Sequence, residues 1–224
     1  MPLFQDTRPQ LGTIMLIWKV TESLTDLQSQ IQLRPESQAR LESMKSELHQ
    51  RAFLSVRMLL LEAGYTDFDL FYDAFGKPHL QDGQHISITH SHEFAAIIIS
   101  VQKVGIDIEL QREKIKSIVS KFCDAELSFL VEQSQDFIPK LTVIWGAKEA
   151  IFKIRNEKGI SFKDHIKVNS FEVESKKTIA ELHFHNLVKS FTIHFEEIEN
   201  FILVYVFEKQ ETVSIEQFAN IKKE

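Results

Sequence analysis

Little cysteine and little glycine set the first limits on what the 224-residue chain can be. Its single cysteine, Cys123, excludes an intramolecular disulfide and favours a reducing compartment. Its seven glycines form neither G-x-x-x-x-G-K-S/T nor G-x-G-x-x-G. A disulfide framework and both glycine-rich nucleotide loops are therefore excluded, so any phosphate group must be held in another way.

Long apolar runs and an excess of basic residues are also missing. The longest apolar runs, at 14–18 and 201–207, are far too short to span a bilayer, and the N-terminal MPLFQDTRPQ lacks the order of a signal peptide. The formal net charge of −6 gives no general attraction to nucleic acid or to an anionic membrane. We expect a soluble cytoplasmic protein without nucleic-acid or membrane partners, large enough for one large domain or two small ones.

The order of apolar and polar residues predicts helices and strands in mixed blocks, which is typical of an α+β fold. Strands are predicted at 14–20, 68–73, 85–89, 95–101 and 104–110, and the chain is predicted to be β from Ile166 onward. Helices are predicted at 36–63 (ending at Gly64), at 115–122, from near Asp124 and from about Pro139.

A weak internal repeat indicates two related halves. ISITHSHEFAAIIISV at 86–101 resembles FTIHFEEIENFILVYV at 191–206, because both read as strand, polar turn and apolar strand. No low-complexity linker separates the two regions. We therefore predict two similar α/β halves related by a pseudo-twofold axis within one compact unit.

Two acids interrupt the apolar segment VGIDIEL at 104–110. Side chains alternate along a strand, so Asp107 and Glu109 project to the same side. Carboxylates held side by side repel each other, more so when they are partly buried. The segment therefore predicts a site for a cation.

The segment WGAKEAIFK at 145–153 places several functional groups on a helix. Helical spacing puts four of them on one face: Trp145, Lys148, Glu149 and Phe152. Lys153 follows one turn after Glu149. This pair could also be a solvated ion pair, worth only about 0.2–0.5 kcal/mol.

Two turns add cationic side chains. FGKPHL at 75–80 supplies Lys77, and ITHSHE at 88–93 supplies His90. Each alone is more simply an exposed loop residue. Carboxylates from a strand and a helix suit Mg²⁺ rather than a soft metal, and lysines with a histidine suit a phosphate or pyrophosphate. Together the residues predict a Mg²⁺-assisted reaction at a phosphate ester or anhydride.

The order and spacing of these motifs resemble a known signature. VGIDIE, then 39 residues between Glu109 and Glu149, then WGAKEAIFK, is similar to the paired motif of the 4′-phosphopantetheinyl transferases. FGKPHL and ISITHS resemble that family's GKP turn and S-S/T-H-S segment, with Thr89 where the family often has serine. The resemblance covers about residues 50–155. The chain length and the internal repeat resemble the Sfp-type, a single-chain pseudodimer.

The resemblance implies a 4′-phosphopantetheinyl transferase of the holo-acyl-carrier-protein synthase type (EC 2.7.8.7). Such an enzyme moves the 4′-phosphopantetheine arm of coenzyme A, its substrate, to a serine of an apo acyl or peptidyl carrier protein. It requires Mg²⁺ and releases adenosine 3′,5′-bisphosphate. The pathway of the carrier, whether fatty-acid, polyketide or nonribosomal-peptide synthesis, stays open.

The resemblance also implies which half of the chain binds coenzyme A and which half binds the metal. Residues 1–103 would form the N-terminal half and contact the coenzyme A nucleotide, and residues 104–224 would carry Mg²⁺ and the catalytic acids. The active site would lie at the interface of the halves. A monomer is expected, because a pseudodimer already contains this interface.

By the same resemblance, Asp107, Glu109 and Glu149 would hold Mg²⁺ against the coenzyme A pyrophosphate. One carboxylate, with Glu149 favoured, would take the serine proton directly or through a metal-bound water. Lys153 would stabilise the charge on the leaving phosphate, with Lys148 as a helper.

The coenzyme contacts are implied in the same way. His90 and Thr89 would contact the phosphates, and Lys77 would contact the nucleotide end. Lys148 and Lys153 would also belong to the coenzyme A contacts. Arg57 is a candidate for the 3′-phosphate, with a surface arginine as an equal alternative.

Two other functions are alternatives: a non-catalytic homologue that binds coenzyme A or a carrier protein, and, less favoured by the residues present, a metal-dependent nuclease. Acids at all three positions and both lysines argue against a decayed site. A nuclease typically has E-x-K, whereas this lysine follows Glu149 by four residues, and the net charge disfavours nucleic acid. The helix after VGIDIE is a candidate carrier-docking surface through Lys114, Lys116 and Lys121.

Overall fold

Two antiparallel β-sheets form the centre of the fold in residues 2–209, the part of the chain that this computed structural model describes. The strands are β1 (Leu3–Thr7), β2 (Thr13–Lys19), β3 (Leu70–Tyr72), β4 (Pro78–Leu80), β5 (His85–Ser91), β6 (Phe94–Ser100), β7 (Val104–Leu110), β8 (Ile166–Val168), β9 (Lys177–Phe184), β10 (Leu187–Ile198) and β11 (Phe201–Glu208). The α-helices are α1 (Leu24–Gln30), α2 (Pro35–Ser43), α3 (Glu47–Glu62), α4 (Val119–Phe122), α5 (Phe137–Arg155) and α6 (Phe162–His165). Short 3₁₀ helices lie at Glu113–Ile118, Ala125–Ser128 and Val173–Ser175.

The strand order places the acid-bearing strand β7 at an edge. The first sheet runs β1-β2-β6-β5 and the second runs β7-β11-β10-β9-β8, while β3 and β4 form a separate ribbon. An apolar cluster of side chains from β2, β6, β7 and β11 lies between the two sheets. On β7, Ile106 and Ile108 belong to this cluster, so the alternation of the strand turns Gly105 and Asp107 toward α5.

Two glycines let α5 lie directly on the second sheet. A Cβ atom at Gly105 would stand 2.0 Å from the carbonyl oxygen of Ala150, and one at Gly146 would stand 2.9 Å from Val204 Cγ2. Both distances are shorter than a normal contact, so any larger residue would push the helix away. The close approach brings the WGAKEAIFK segment of α5 to Asp107.

Hydroxyl side chains join the two sheets along β5 and β7. Ser87 Oγ accepts a hydrogen bond from Ile106 N at 3.1 Å, and Thr89 Oγ1 accepts one from Ile108 N at 3.3 Å. The edge strands of the two sheets therefore meet through side chains. This seam sets the segment ISITHS beside Asp107.

Most of the predicted elements are confirmed. The strands predicted at 14–20, 85–89, 95–101 and 104–110 correspond to β2, β5, β6 and β7, and 68–73 contains the shorter β3. The β region after Ile166 forms β8 to β11, although residues 210–224 of that prediction lie outside the described part of the chain, and the helix expected from Pro139 is α5. Within residues 2–209, no helix is both long and apolar enough to cross a bilayer.

The single helix predicted at 36–63 is wrong, because the chain forms α2 and α3 with a break between them. Met44, which follows α2, and Ser46, which precedes α3, are both extended, with ψ of 124° and 121°. Gln50 Nε2 donates to the carbonyl oxygens of Leu41 and Met44, at 3.3 and 3.2 Å. The Leu41 carbonyl oxygen also accepts from Met44 N at 3.2 Å, so this side chain of α3 adds to the hydrogen bonds that close the end of α2.

The helices predicted after VGIDIEL are also shorter than expected. Residues 115–122 form a 3₁₀ helix followed by the single turn α4, and the helix expected from Asp124 is one 3₁₀ turn, Ala125–Ser128. Neither turn has a side-chain cap that would extend it.

The internal repeat corresponds to two hairpins, β5–β6 and β10–β11. Each has a two-residue turn whose first residue has positive φ: His92 at 50° and Glu199 at 52°. The turn of the second hairpin lies at 199–200, two residues later than the sequence repeat placed it. Phe94 and Phe201, the residues that follow the turns, are in edge-to-face contact at 5.0 Å. The twofold relation between the halves stays a prediction.

Candidate active site

Asp107 is the buried centre of the candidate site, with 5% of its surface exposed. Its Oδ1 accepts hydrogen bonds from Lys153 Nζ at 2.8 Å and from Thr89 Oγ1 at 3.1 Å. Its Oδ2 is buried above Gly146, 3.5 Å from where a Cβ would stand, and has no partner among the described residues. A buried carboxylate oxygen without a partner is costly, so a ligand for it is expected.

Glu109 is half-buried on the same side of β7. Its Oε1 accepts a hydrogen bond from Trp145 Nε1 at 3.2 Å. Burial, and then the negative charge of Asp107, raise the pKa of Glu109. This carboxylate is therefore oriented by α5 and senses the charge of its neighbour.

Glu149 of α5 completes the set of three acids. Burial, followed by the charge of Asp107, raises the pKa of Glu149 to about 7, while Lys153 opposes the rise and Glu109 adds to it. A carboxylate with a pKa near neutrality suits a general base. The charge of Asp107 acts on both Glu109 and Glu149, so the three predicted acids lie close to one another.

The three acids do not form a complete metal cage. Across residues 2–209, no group of three or more histidine, cysteine, aspartate or glutamate side chains is arranged to hold a metal ion. Mg²⁺ usually takes one or two carboxylates and fills its other positions with water and substrate phosphate. Asp107 Oδ2, which the described part of the chain leaves without a partner, and the raised pKa values of Glu109 and Glu149 fit a site of that kind.

Lys153 links the acids to a cavity of about 410 Å³. Its Nζ is held by Asp107 and by the carbonyl oxygen of Ile106 at 2.9 Å, and its side chain also lines the cavity. The other basic side chains lining the cavity are Arg40, His49, Arg57 and His90. No described aspartate or glutamate lines it, so the cavity suits a ligand with several phosphate groups.

His90 faces His49 across this cavity, with ring centroids 6.3 Å apart. Much of His90 is exposed, but desolvation where its ring meets the cavity wall lowers its pKa, and the charges of basic neighbours, His49 first, lower it further. His90 can therefore gain a proton when an anion enters.

Arg57 is not the surface arginine that the sequence left open. It is 2% exposed, and its Nε donates to Asp67 Oδ1 at 3.0 Å. The guanidinium carbon lies 3.6 Å from the ring centroid of Phe53. Its Nη2 has no partner among the described residues, although Arg57 lines the cavity. The position allows a phosphate contact, which stays a prediction.

Three expected coenzyme contacts lie elsewhere or are already engaged. The ammonium group of Lys77 donates to the carbonyl oxygen of Ile154 at 2.5 Å and lines a neighbouring cavity, whereas Gly76 and Pro78 line the large one. The hydroxyl of Thr89 is used by Asp107 and by the β7 backbone. The third residue, Lys148, is fully buried.

Lys148 is fully buried away from the acids, contrary to the expected helper role. Its Nζ lies 2.7 Å from Glu126 Oε1, 2.6 Å from the Phe122 carbonyl oxygen and 3.0 Å from that of Phe162. All three donors of the ammonium group are thus used inside the protein.

Arg40 and His49 were missed by the sequence reasoning. His49 lies two turns before Arg57 on α3, so helical spacing could have placed both on one face. Arg40 reaches the cavity only because the break after α2 folds that helix back, and no local pattern indicates this.

The expected docking helix is only partly basic at its surface. Lys116 Nζ pairs with Glu113 at 2.7 Å. Lys114 and Arg112 line a cavity of about 230 Å³ next to Glu109 and Trp145. The docking role stays a prediction.

Sequence comparison agrees with this geometry. The sequence model of the 4′-phosphopantetheinyl transferase superfamily matches residues 103–214, half of the chain, which includes all three acids and Lys153. The chain belongs to this superfamily. A curated member, the 4′-phosphopantetheinyl transferase gsp of Aneurinibacillus migulanus, is 30% identical over 126 residues, or 55% of this chain and 51% of the relative. The match thus spans about half the length of this transferase.

Proposed function

We propose that the protein transfers the 4′-phosphopantetheine arm of coenzyme A to a serine of an apo acyl or peptidyl carrier protein in a Mg²⁺-dependent reaction. The proposal depends on one observation: Lys153 is hydrogen-bonded to the buried Asp107 and also lines the cationic cavity. A ligand whose phosphates fill that cavity would extend to the acids. Membership of the superfamily supports the same reaction class.

Asp107, Glu109 and Glu149 are the proposed ligands of Mg²⁺. The metal, when bound, would offset phosphate charge and orient the phosphorus for in-line attack. Asp107 offers Oδ2, which has no hydrogen-bond partner within residues 2–209, whereas Oδ1 already accepts from Lys153. Trp145 holds one oxygen of Glu109, which fixes the direction of the other.

Glu149 is the proposed general base. In the metal-free protein its pKa is about 7, and a bound cation would keep the carboxylate ionised near neutral pH, so that it can take the proton of the carrier serine. The serine oxygen then bonds to the phosphorus of the phosphopantetheine group as the bond to the bridging pyrophosphate oxygen breaks. That oxygen leaves as part of adenosine 3′,5′-bisphosphate, and Lys153 stabilises its developing charge.

The N-terminal half is proposed to hold coenzyme A. Arg40, His49, Arg57 and His90 all come from residues 1–103, whereas the three acids come from 104–224. This division supports an active site at the interface of the halves, as in a single-chain Sfp-type pseudodimer acting as a monomer. A cytoplasmic location and the holo-acyl-carrier-protein synthase subtype are proposed with it.

The decisive experiment is an intact-mass assay with coenzyme A, Mg²⁺ and apo carrier proteins of the fatty-acid and nonribosomal-peptide types. We expect one carrier to gain a single phosphopantetheine and the gain to disappear in EDTA. Glu149→Gln is the matched inactive variant. Thermal stabilisation by coenzyme A without transfer to any carrier would favour the non-catalytic alternative, and no stabilisation would refute the proposal.

A further inference from the structure

The buried ion pair of Lys148 and Glu126 is not used by the proposed chemistry. Both side chains are about fully buried, at 0% and 1% exposure. Besides Lys148, Glu126 Oε1 accepts from Val168 N at 2.9 Å, and Glu126 Oε2 accepts from Asp124 N at 3.2 Å. The pair therefore ties α5 to the 3₁₀ turn before it and to β8.

The same pair fixes two aromatic residues. Lys148 Nζ binds the carbonyl oxygens of Phe122 and Phe162. The rings of these two residues pack on Trp145, with centroids 5.2 and 5.6 Å from that of the indole. Trp145 Nε1 in turn donates to Glu109 Oε1 at 3.2 Å. An unbroken series of contacts thus runs from the buried pair to a proposed metal ligand.

Stability alone does not account for a charged pair at this position. Well-packed apolar residues in place of a buried ion pair are often as stabilising or more so. An ammonium group with three fixed acceptors, however, defines where three segments of backbone must lie. The pair therefore sets the geometry of the segments that it joins.

We infer that the Lys148–Glu126 pair is a positioning element for Glu109, acting through Phe122, Phe162 and Trp145. It holds the two aromatic residues that clamp the indole, and the indole N–H fixes the carboxylate of Glu109 beside Asp107. Lys148 is thus a positioning residue that touches no substrate. The inference rests on the proposed function, because it treats Glu109 as a metal ligand.

The test uses the fluorescence of Trp145 together with enzyme kinetics. The chain has only two tryptophans, so Trp18→Phe leaves Trp145 as the single reporter. In that background Lys148→Met should shift the emission to the red and increase quenching by acrylamide. It should also raise the Mg²⁺ concentration for half-maximal transfer by about tenfold to a hundredfold, the usual effect of losing a residue that orients a metal ligand. The KM for coenzyme A should not change.

Lys140→Met is the matched control, because Lys140 lies on the same helix and pairs with Glu172 at 2.8 Å. It should leave the fluorescence and the Mg²⁺ requirement unchanged. Glu126→Gln keeps two hydrogen-bonding atoms, so it should cause a smaller red shift of the Trp145 emission and a smaller rise in the Mg²⁺ requirement. It provides the test if Lys148→Met does not fold. Trp145→Phe should reproduce the raised Mg²⁺ requirement.

Two results would overturn the inference. A raised KM for coenzyme A with unaltered Trp145 fluorescence would make Lys148 a ligand contact. A lower melting temperature with wild-type fluorescence and Mg²⁺ requirement would make the pair purely structural. The fluorescence does not depend on turnover, so a wild-type protein without transfer activity would refute the proposed function separately.

Discussion

Replacing Glu149 by glutamine should stabilise the metal-free protein at pH 8 but much less at pH 5. In the folded protein, burial and the charge of Asp107 raise the pKa of Glu149 from its ordinary value of 4.5 to about 7. Between these two values the folded chain holds a proton that the unfolded chain has released. Stability contributed by this group is therefore lost as the pH rises, and the loss is complete above pH 7.

The size of the effect follows from the same values. A pKa that rises from 4.5 to about 7 corresponds to about 3–4 kcal/mol, at about 1.4 kcal/mol per pH unit. Solvent screening at this half-buried carboxylate reduces the figure to about 1–2 kcal/mol. Glutamine has a similar shape and no charge at either pH, so the substitution should recover that amount at pH 8.

Urea unfolding in EDTA at pH 5 and pH 8 measures this difference. Glu132→Gln is the control, because it removes the same charge from an exposed position. Added Mg²⁺ should stabilise the wild type more than Glu149→Gln, so the difference between their free energies of unfolding at pH 8 should become smaller. An equal gain in the free energy of unfolding at both pH values, or a loss at pH 8, would show that the fold does not raise the pKa of Glu149.

Three further predictions concern residues around the acids. Lys153→Met should abolish transfer in single-turnover assays and lower stability by about 1–3 kcal/mol, because buried Asp107 loses its cation. The KM for coenzyme A should rise with pH in the wild type, since the phosphates favour protonated His90, and His90→Ala should flatten this profile in steady-state kinetics. Gly105→Ala should destabilise the fold by at least about 1–3 kcal/mol in denaturant titrations, because its Cβ would overlap the Ala150 carbonyl oxygen.

The acids of the site were predictable because their positions depend on local geometry. Alternation along β7 puts Asp107 and Glu109 on one side, and helical spacing puts Glu149 and Lys153 one turn apart. Their meeting depends on the close contact of α5 with β7. Gly105 permits this contact, and its role becomes clear only when the helix lies over it.

The error on Lys148 has a physical cause. Helical spacing placed it with Trp145 and Phe152, and that face is indeed shared, but it packs on Phe162 inside the protein. A lysine is normally exposed, and only the tertiary fold supplies the glutamate that lets this one be buried. The same limit hid Arg40, because its route to the cavity requires the fold-back of α2.

The hydroxyl seam between the sheets also contacts the candidate site, because Thr89 belongs to both. The hydroxyl of Thr89 accepts a hydrogen bond from the backbone N–H of Ile108 across the seam and donates one to Asp107 Oδ1. Any slip of one sheet against the other would therefore withdraw a hydrogen bond from the acid at the centre of the site. The surroundings of the proposed metal ligand therefore depend on how the two sheets are aligned, and a substitution that shifts one sheet against the other should change this site even where both sheets stay folded.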